Sequence, residues 1–192
     1  MANVLRKIPL SETYCCTELS NRRILVTGYK LIKIFSLDTY EELKDIPSED
    51  NIWDSLVTPD EKYIFISKAR GFKQYSLPDF TLVKVYEPSC DGFVLVYLKS
   101  KNILLFRIKC KLFSFDIDTS NVAELKDKHK DSIMNAVSTS DEEFLYSTGL
   151  DRALKQWSTN TWSVVRSVEL ESKGNTLLIK EDSATVLVGM YN

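Results

Sequence analysis

The sequence has few of the residues that build metal and cofactor sites. It contains one histidine, His129, four cysteines and six glycines. A single histidine excludes a multi-histidine metal site within one copy, and no two cysteines have the two-residue spacing of a zinc knuckle or a redox dithiol. The glycines never occur two residues apart, so both phosphate-cradling glycine fingerprints are missing. We therefore expect neither a metal ion nor a cofactor.

Long apolar runs and an excess of charge of one sign are also missing. No stretch approaches the roughly 18 apolar residues of a membrane-spanning segment, and the first residues lack the apolar core of a signal peptide. Lysine and arginine number 25 against 27 aspartates and glutamates, which argues against a general binder of polyanions. Cysteines without a pairing pattern are typical of a reducing compartment. These absences predict a globular chain without a transmembrane segment, in the cytoplasm or the nucleus.

A repeat organises the residues that are present. In four segments a strand-like stretch ends in an aromatic residue and is followed by a polar turn (residues 33–43, 73–83, 112–125 and 155–165). The aromatic residues, called anchors below, lie 40, 40 and 42 residues apart: Phe35, Tyr75, Phe115 and Trp157. A turn-forming residue follows each anchor three positions later. Four aligned copies indicate internal duplication rather than chance.

A second set of turns has the same period. Its turn residues lie 39, 40, 41 and 41 residues apart: Asn21, Asp60, Ser100, Asp141 and Asp182. Each unit thus holds about four short strands, which is the composition of a propeller blade. We predict a single all-β propeller domain of about four and a half four-stranded antiparallel blades. The predicted parts are an outer strand at 3–8, blades at 12–47, 51–87, 91–127 and 129–171, and a partial blade at 173–192.

The fourth unit, residues 129–158, resembles a repeat of the tryptophan–aspartate (WD) propeller family. Ser147, Asp151 and Trp157 have the spacing of that family's S-x-x-x-D-x-x-x-x-x-W segment, and His129 takes the place of the histidine that opens a unit. The resemblance implies a buried hydrogen-bond chain from the Trp indole through the Ser hydroxyl and the His imidazole to the Asp carboxylate. Such a chain satisfies each buried polar group and rigidifies a blade.

The other three units depart from this pattern. They carry Phe35, Tyr75 and Phe115 in place of tryptophan, and they lack both the opening histidine and the turn aspartate. We expect these three blades to rely on apolar packing alone. The last unit supplies strands for only half a blade, so we expect an open ring. The sequence is either a fragment of a longer propeller or a chain whose ring is completed by another chain, and we do not expect a monomer.

The resemblance also implies a binding face, because the narrower face of such propellers often binds partners. Residues just before and at the start of each innermost strand contribute to that face: Glu12, Asn51, Trp53, Asp91, Phe93, Ser132, Met134 and Lys173. Trp53 is the candidate interface anchor, since aromatic residues at the rim of a polar surface are enriched in interfaces. Packing of Trp53 between blades is the equally weighted alternative.

Two further patterns suggest other functions. If residues 107–112 form one strand, Arg107, Lys109 and Lys111 share a basic face opposite Ile108, Cys110 and Leu112. His129, Ser147 and Asp151 have the residue types of a hydrolase triad, but the nucleophile elbow G-x-S-x-G is missing. The paired acids Glu142 and Glu143 lie beside a turn, where solvated charge is expected.

These features favour a non-catalytic scaffold that binds other proteins, as the resemblance implies. Rigid blades with closely spaced loops suit binding, and no motif supplies chemistry. The alternative is an RNA-binding or coat-complex subunit that uses the basic strand face, and an enzyme built on a propeller ranks third. We assign no catalytic, metal-binding or cofactor-binding residue, and we expect protein partners rather than nucleic acid.

Overall fold

The computed structural model describes residues 12–68, 71–87, 93–180 and 185–191. Within these ranges the regular structure is β-strand, apart from one short 3₁₀ turn at Lys99–Lys101. The chain divides into two compact units, unit 1 (Met1–Asp91) and unit 2 (Gly92–Asn192). The predicted outer strand at residues 3–8, the candidate binding residue Asp91 and the turn residue Asp182 lie outside the described ranges.

Unit 1 contains two four-stranded antiparallel sheets in which each strand pairs with the next one along the chain. Blade 1 consists of β1 (Thr13–Leu19), β2 (Arg23–Gly28), β3 (Leu31–Ser36) and β4 (Glu42–Asp45). Blade 2 consists of β5 (Asp54–Val57), β6 (Tyr63–Lys68), β7 (Gly71–Ser76) and β8 (Leu82–Tyr86).

Unit 2 continues the same pattern. Blade 3 consists of β9 (Phe93–Leu98), β10 (Ile103–Ile108), β11 (Lys111–Asp116) and β12 (Val122–Lys128). Blade 4 consists of β13 (Ile133–Ser138), β14 (Phe144–Gly149), β15 (Ala153–Ser158) and β16 (Ser163–Glu169), and a two-stranded sheet follows with β17 (Gly174–Ile179) and β18 (Val186–Met190). The prediction of an all-β propeller fold with four-stranded antiparallel blades is confirmed. The grouping of all blades into one domain stays a prediction.

The four anchors occupy equivalent places in the four blades. Each is a buried residue of the third strand, and each pairs across the sheet with an apolar residue of the second strand. The pairs are Ile24–Phe35, Ile64–Tyr75, Leu104–Phe115 and Leu145–Trp157. An aromatic ring opposite an aliphatic side chain is a favourable cross-strand pair. The same aromatic–aliphatic pair therefore recurs in all four blades and explains the regular spacing of the anchors in the sequence.

Each unit has its own apolar core. In unit 1 the core joins both blades through buried aliphatic side chains and Tyr75, and in unit 2 it joins blades 3 and 4 around Trp157. Burial of apolar surface at about 25 cal/mol per Å² is the main stabilising contribution expected for such stacked sheets. The aliphatic members include Leu25, Ile32, Ile34, Ile64 and Ile66 in unit 1, and Leu98, Leu105, Leu112, Ile133 and Leu145 in unit 2.

The turn after each anchor also repeats. The residue five positions beyond the anchor has a left-handed backbone in all four blades, with φ between 55° and 62°: Tyr40, Phe80, Ser120 and Trp162. Its backbone N–H donates to the carbonyl of the residue just after the anchor, at 2.8–2.9 Å. Phe80 and Trp162 pack against the cores of their units, whereas Tyr40 is 41% exposed.

The prediction of one continuous strand through residues 107–112 is wrong. β10 ends at Ile108 and β11 begins at Lys111, and these two residues pair across a hairpin. Lys109 and Cys110 form the two-residue turn, with Lys109 left-handed at φ 54°. Alternation along a straight strand places charges on one face, but a turn in the middle removes that geometry. The three basic residues therefore do not form a stripe on a single strand.

Candidate functional site

A buried chain of hydrogen bonds joins the four residues that carry the WD-repeat resemblance. The Trp157 indole Nε1–H on β15 donates to the hydroxyl oxygen of Ser147 on β14, at 2.8 Å. Ser147 Oγ also lies 2.7 Å from His129 Nε2, just before β13. His129 Nδ1 lies 2.9 and 3.0 Å from the two carboxylate oxygens of Asp151, which also accept the backbone N–H of Lys130 at 2.8 Å. Two strands, the segment that leads into β13 and the turn between β14 and β15 are thereby connected through side chains.

The chemistry of these groups determines which atom donates and which accepts in each hydrogen bond of this chain. An indole nitrogen can only donate, so the oxygen of Ser147 must accept from Trp157. The Ser147 O–H is then available to donate to His129 Nε2, which must be unprotonated to accept it. The imidazole proton therefore sits on Nδ1 and is donated to Asp151. The chain uses a neutral histidine and an ionised aspartate.

The pKa values of the two titratable members agree with this assignment. Burial lowers the pKa of His129 below its ordinary value of 6.5 and outweighs the opposite effect of the Asp151 carboxylate. Burial alone would raise the pKa of Asp151, but hydrogen bonds from His129 and from the Lys130 backbone hold it below its ordinary value. At neutral pH the imidazole is uncharged and the carboxylate is charged.

This geometry suits structural support rather than nucleophilic catalysis. In a hydrolase triad the serine oxygen attacks a bound substrate and must be reachable by it. Ser147 is fully buried, and its hydroxyl group is engaged by both Trp157 and His129. The arrangement instead ties strands β14 and β15 to the segment that leads into β13.

Two other buried hydrogen bonds correct the expectation for blades 1 and 2. Thr27 Oγ1 on β2 lies 3.0 Å from Ser55 Oγ on β5, so blades 1 and 2 share a buried hydroxyl pair. The Tyr86 hydroxyl on β8 donates to Gln74 Oε1 on β7 at 2.7 Å. The prediction of apolar packing alone is wrong for blades 1 and 2, because buried polar side chains must find partners and here find them in neighbouring strands. For blade 3 it stays a prediction.

Serine–glutamate contacts between successive blades were missed by the sequence reasoning. In unit 1, Ser20 donates its backbone N–H and its hydroxyl to the carboxylate of Glu61, at 2.5 and 2.7 Å. In unit 2, the backbone N–H groups of Lys99 and Ser100 donate to Glu142 at 2.8 and 2.9 Å, and the Ser100 hydroxyl donates as well. Each glutamate has a left-handed backbone and follows the aspartate of its turn. That recurring Asp-Glu pair was the available signal.

The unit 1 members of the predicted binding face lie near one another. Glu12 and Asn51 are exposed and Trp53 is half-buried. The Glu12 carbonyl accepts the backbone N–H of Tyr29 at 2.9 Å, and Tyr29 forms an isolated antiparallel bridge with Asn51. The Trp53 N–H donates to the Ser67 carbonyl at 3.0 Å. Tyr29 belongs to this group, although the alignment of innermost strands did not select it.

The unit 2 members have more varied surroundings. Phe93 begins β9, and its ring centroid lies 4.3 Å from the guanidinium carbon of Arg107. Ser132 and Met134 flank the start of β13 and are half-buried. Lys173 is exposed before β17, beside an open depression of about 550 Å³ that Leu150, Arg152 and Tyr191 also line.

Two of the three side chains of the predicted basic face have separate partners. Arg107 stacks on Phe93, and Lys111 forms an ion pair with Glu124 at 2.8 Å. Lys109 lies in the hairpin turn. A phosphate backbone is bound best by cations aligned along one groove, and these three groups have no such alignment on β10 or β11.

The described residues contain neither a cluster of metal ligands nor a membrane-spanning helix. No group of three or more His, Cys, Asp or Glu side chains there is placed to hold a metal ion. No helix in the same residues is long and apolar enough to cross a membrane.

No protein-family model matches the chain, and no curated protein matches it. The propeller fold rests on the described strands, and the WD-repeat resemblance rests on His129, Ser147, Asp151 and Trp157.

Proposed function

We propose that the protein is a non-catalytic scaffold of the WD-repeat type that binds other proteins, in the cytoplasm or the nucleus. The observation that supports the proposal is a set of aromatic residues on three neighbouring backbone segments of unit 1. Tyr14 is 58% exposed and Tyr29 is 45% exposed, and both lie in segments joined by backbone pairing to the segment of Trp53. Exposed aromatic side chains on a rigid β frame are typical of protein interfaces.

The hydrogen-bond chain of blade 4 supports the same proposal. It occupies the residues that would otherwise be candidates for acid–base chemistry, and it leaves them buried and mutually satisfied. Scaffolds need loops that keep their positions when partners bind, and a satisfied buried network holds strand ends in place.

Capture of partner proteins by the immobilised full chain tests the proposal. We expect Trp53→Ala to weaken retention of a captured protein by at least about 30-fold, as for an interface anchor. Tyr40→Ala is the control for loss of an aromatic side chain elsewhere on the same unit, because Tyr40 is 41% exposed and lies in the turn at the opposite end of β3 from Tyr29. Retention should persist between roughly 0.15 M and roughly 1 M salt, since aromatic contacts are screened little.

Three results would argue against this function. Equal retention by the wild type, Trp53→Ala and Tyr40→Ala would contradict it. Loss of the cooperative thermal transition in Trp53→Ala would assign that side chain to the core. Retention of RNA that disappears at high salt would favour the nucleic-acid alternative.

Self-association is a second proposal, supported by the β17–β18 sheet. Within the described residues β18 pairs on one side only, with β17. Leu187 and Met190 on β18 and Leu178 on β17 are exposed apolar side chains. An unpaired strand edge with apolar neighbours favours strand addition by another chain. Light scattering should show a species larger than the 22.1 kDa monomer, and a compact monomer would contradict association.

A further inference from the structure

In each unit the second blade covers one face of the first. Ile32 of blade 1 is 1% exposed and belongs to a core that includes Tyr75, the anchor of blade 2. Leu112 of blade 3 is fully buried in a core that includes Trp157, the anchor of blade 4. Ile32 and Leu112 both lie three residues before the anchor of their own blade. The same position is therefore covered in the same way in both units.

The corresponding face of blade 4 is open. Leu154 lies three residues before the blade 4 anchor, as Ile32 and Leu112 do in their blades, but it is only half-buried. Val168 pairs with Leu154 and is 41% exposed. A depression of about 250 Å³ remains between this face and Val186 of β18. The blade 4 residues that line it, called the open face below, are Tyr146, Leu154, Gln156, Arg166 and Val168.

The β17–β18 sheet covers only part of the open face, because it has the first two strands of a blade. Its register repeats that of β13 and β14, since the pair Ile179–Val186 corresponds to the pair Ser138–Leu145. Leu145 is the residue opposite the anchor of blade 4. A third strand added to the edge of β18 would therefore place an anchor opposite Val186, facing blade 4. Within the described residues no strand pairs with that edge.

A contact between a cation and an aromatic ring joins successive blades in both units. Phe80, five residues beyond the blade 2 anchor, has its ring centroid 5.8 Å from Lys44 Nζ of blade 1. Trp162, at the same position of blade 4, has its ring centroid 5.9 Å from Lys101 Nζ of blade 3. Ring faces carry partial negative charge and attract such cations. The aromatic residue in the turn of one blade thus contacts a cation of the preceding blade.

Arg166 is the cation of the open face that corresponds to Lys44. Lys44 pairs with Ile34, the residue just before the blade 1 anchor, and Arg166 pairs with Gln156, the residue just before the blade 4 anchor. Arg166 is exposed, and its guanidinium has neither an ion pair nor a ring contact within the described residues. The space beside Arg166 therefore matches the place that Phe80 occupies beside Lys44.

We propose that the open face and the edge of β18 bind a β-hairpin of a partner protein, with one aromatic residue on its first strand and another in its turn. The proposal rests on the strand addition proposed above and names what is added. The four outer hairpins of this chain are already paired within their own blades, so the hairpin is supplied by another chain. Its first strand extends the sheet at β18, its turn aromatic contacts Arg166, and burial of Leu154 and Val168 adds apolar stabilisation.

Fluorescence anisotropy with a labelled cyclic peptide tests this proposal on the full chain. The peptide has the sequence of residues 71–86, the outer hairpin of blade 2, which includes Tyr75 and Phe80. Phe72 pairs with Tyr86, so a short linker can join the two ends. Cyclisation is needed because an isolated two-stranded hairpin is only marginally stable. The hairpin should bind at least roughly tenfold more tightly than a cyclic peptide with the same residues in scrambled order.

Two valines of β16 provide a matched pair of variants. Val168→Asp should weaken binding of the hairpin at least roughly tenfold, because the hairpin would bury the new carboxylate without a partner. Val165→Asp is the control, since Val165 is 53% exposed on the same strand and lies outside the depression. It should change the affinity by less than about twofold. Both side chains are exposed, so neither change should unfold the chain.

The contact with Arg166 gives the most specific readout. Phe80→Ala in the peptide should weaken binding to the wild-type chain roughly three- to tenfold, through loss of the cation–ring contact. The same peptide change should have little effect on binding to the Arg166→Ala chain, in which that contact is already missing. Arg22→Ala removes an exposed arginine of unit 1 and is the control, so it should leave the full effect of the peptide change in place.

The possible results separate this inference from the proposals above. Equal binding of the hairpin and the scrambled peptide, or equal effects of Val168→Asp and Val165→Asp, would overturn it. Tighter binding of a linear peptide of residues 1–11 would also overturn it and assign the β18 edge to the first residues of the chain itself. A species larger than the monomer that does not bind the hairpin would overturn it while leaving self-association in place. Hairpin binding by a compact monomer would support it and contradict self-association.

Discussion

Replacing Ser147 by alanine removes one oxygen atom from the centre of the blade 4 hydrogen-bond chain. Ser147 is fully buried and serves two partners, the Trp157 indole N–H and the His129 Nε2. Alanine fits the same space, so backbone strain and side-chain clashes are not introduced. The change therefore isolates the loss of two hydrogen bonds in the interior of unit 2.

The size of the expected stability loss follows from the two buried polar groups that lose their partner. An unpartnered buried donor or acceptor costs about 1–3 kcal/mol, and here one donor and one acceptor lose their partner together. Some relaxation of the imidazole reduces the total. We expect Ser147→Ala to lower the free energy of unfolding by about 2–4 kcal/mol, a large part of the roughly 5–15 kcal/mol that stabilises a typical domain.

Urea denaturation followed by far-UV circular dichroism measures this change. Ser114→Ala on β11 is the matched control, because Ser114 is half-buried and donates a single long hydrogen bond of 3.4 Å to the Ala123 carbonyl. We expect that control to change stability by less than about 0.5 kcal/mol. Trp157→Phe removes the indole donor, so Ser147→Ala should cost less in that background than alone.

Equal stability loss in Ser147→Ala and Ser114→Ala would refute the reasoning. It would mean that the hydrogen-bond chain contributes nothing beyond the packing of its apolar atoms. Strict additivity of Ser147→Ala and Trp157→Phe would refute the specific claim that Trp157 donates to Ser147.

Two further predictions concern His129 and the serine–glutamate contacts. Because its pKa is lowered in the folded chain, His129 should titrate below 6.5 by NMR, as the one histidine signal. The contribution of His129 to stability should be fully present above pH 6.5 and should be lost as the pH falls from 6.5 toward the folded pKa. The reason is that the unfolded chain binds the proton first. An NMR titration midpoint above 6.5 would show that the effect of Asp151 on the pKa outweighs that of burial. Glu142→Ala should lower stability by about 1 kcal/mol through loss of its hydrogen bonds to Lys99 and Ser100, whereas Glu143→Ala, at a neighbouring position outside these contacts, should have little effect in the same urea assay. Equal effects of the two changes would contradict the role assigned to Glu142.

The blades were predictable because their signal is local and repeated. A strand, a turn and an aromatic anchor lie within about a dozen residues, and the cross-strand pair of each anchor recurs at the same spacing. The residues of the blade 4 chain were identified by the spacing of one segment. The spacing alone could not give the direction of its hydrogen bonds, which depends on the distances in the folded blade.

The errors have different causes. The hairpin at Lys109–Cys110 lacks glycine, asparagine and aspartate, the residues that usually mark a two-residue turn. The alternation of charged and apolar residues therefore predicted one continuous strand across it. The Thr27–Ser55 pair and the Ser100–Glu142 contact join different blades, and no pattern within a single repeat specifies which side chains meet when sheets stack. Tyr29 was missed because it follows β2, whereas only residues beside the innermost strands were aligned.

The serine–glutamate contacts have a consequence for the ancestry of the repeat. The turn that opens one copy is completed by an acid that belongs to the following copy, in unit 1 and again in unit 2. A lineage that loses the Ser100 hydroxyl removes one of the three hydrogen bonds that Glu142 accepts, so selection on the second position relaxes. We therefore expect these paired positions to drift together among descendants of the duplicated ancestor, even though some 40 residues separate them.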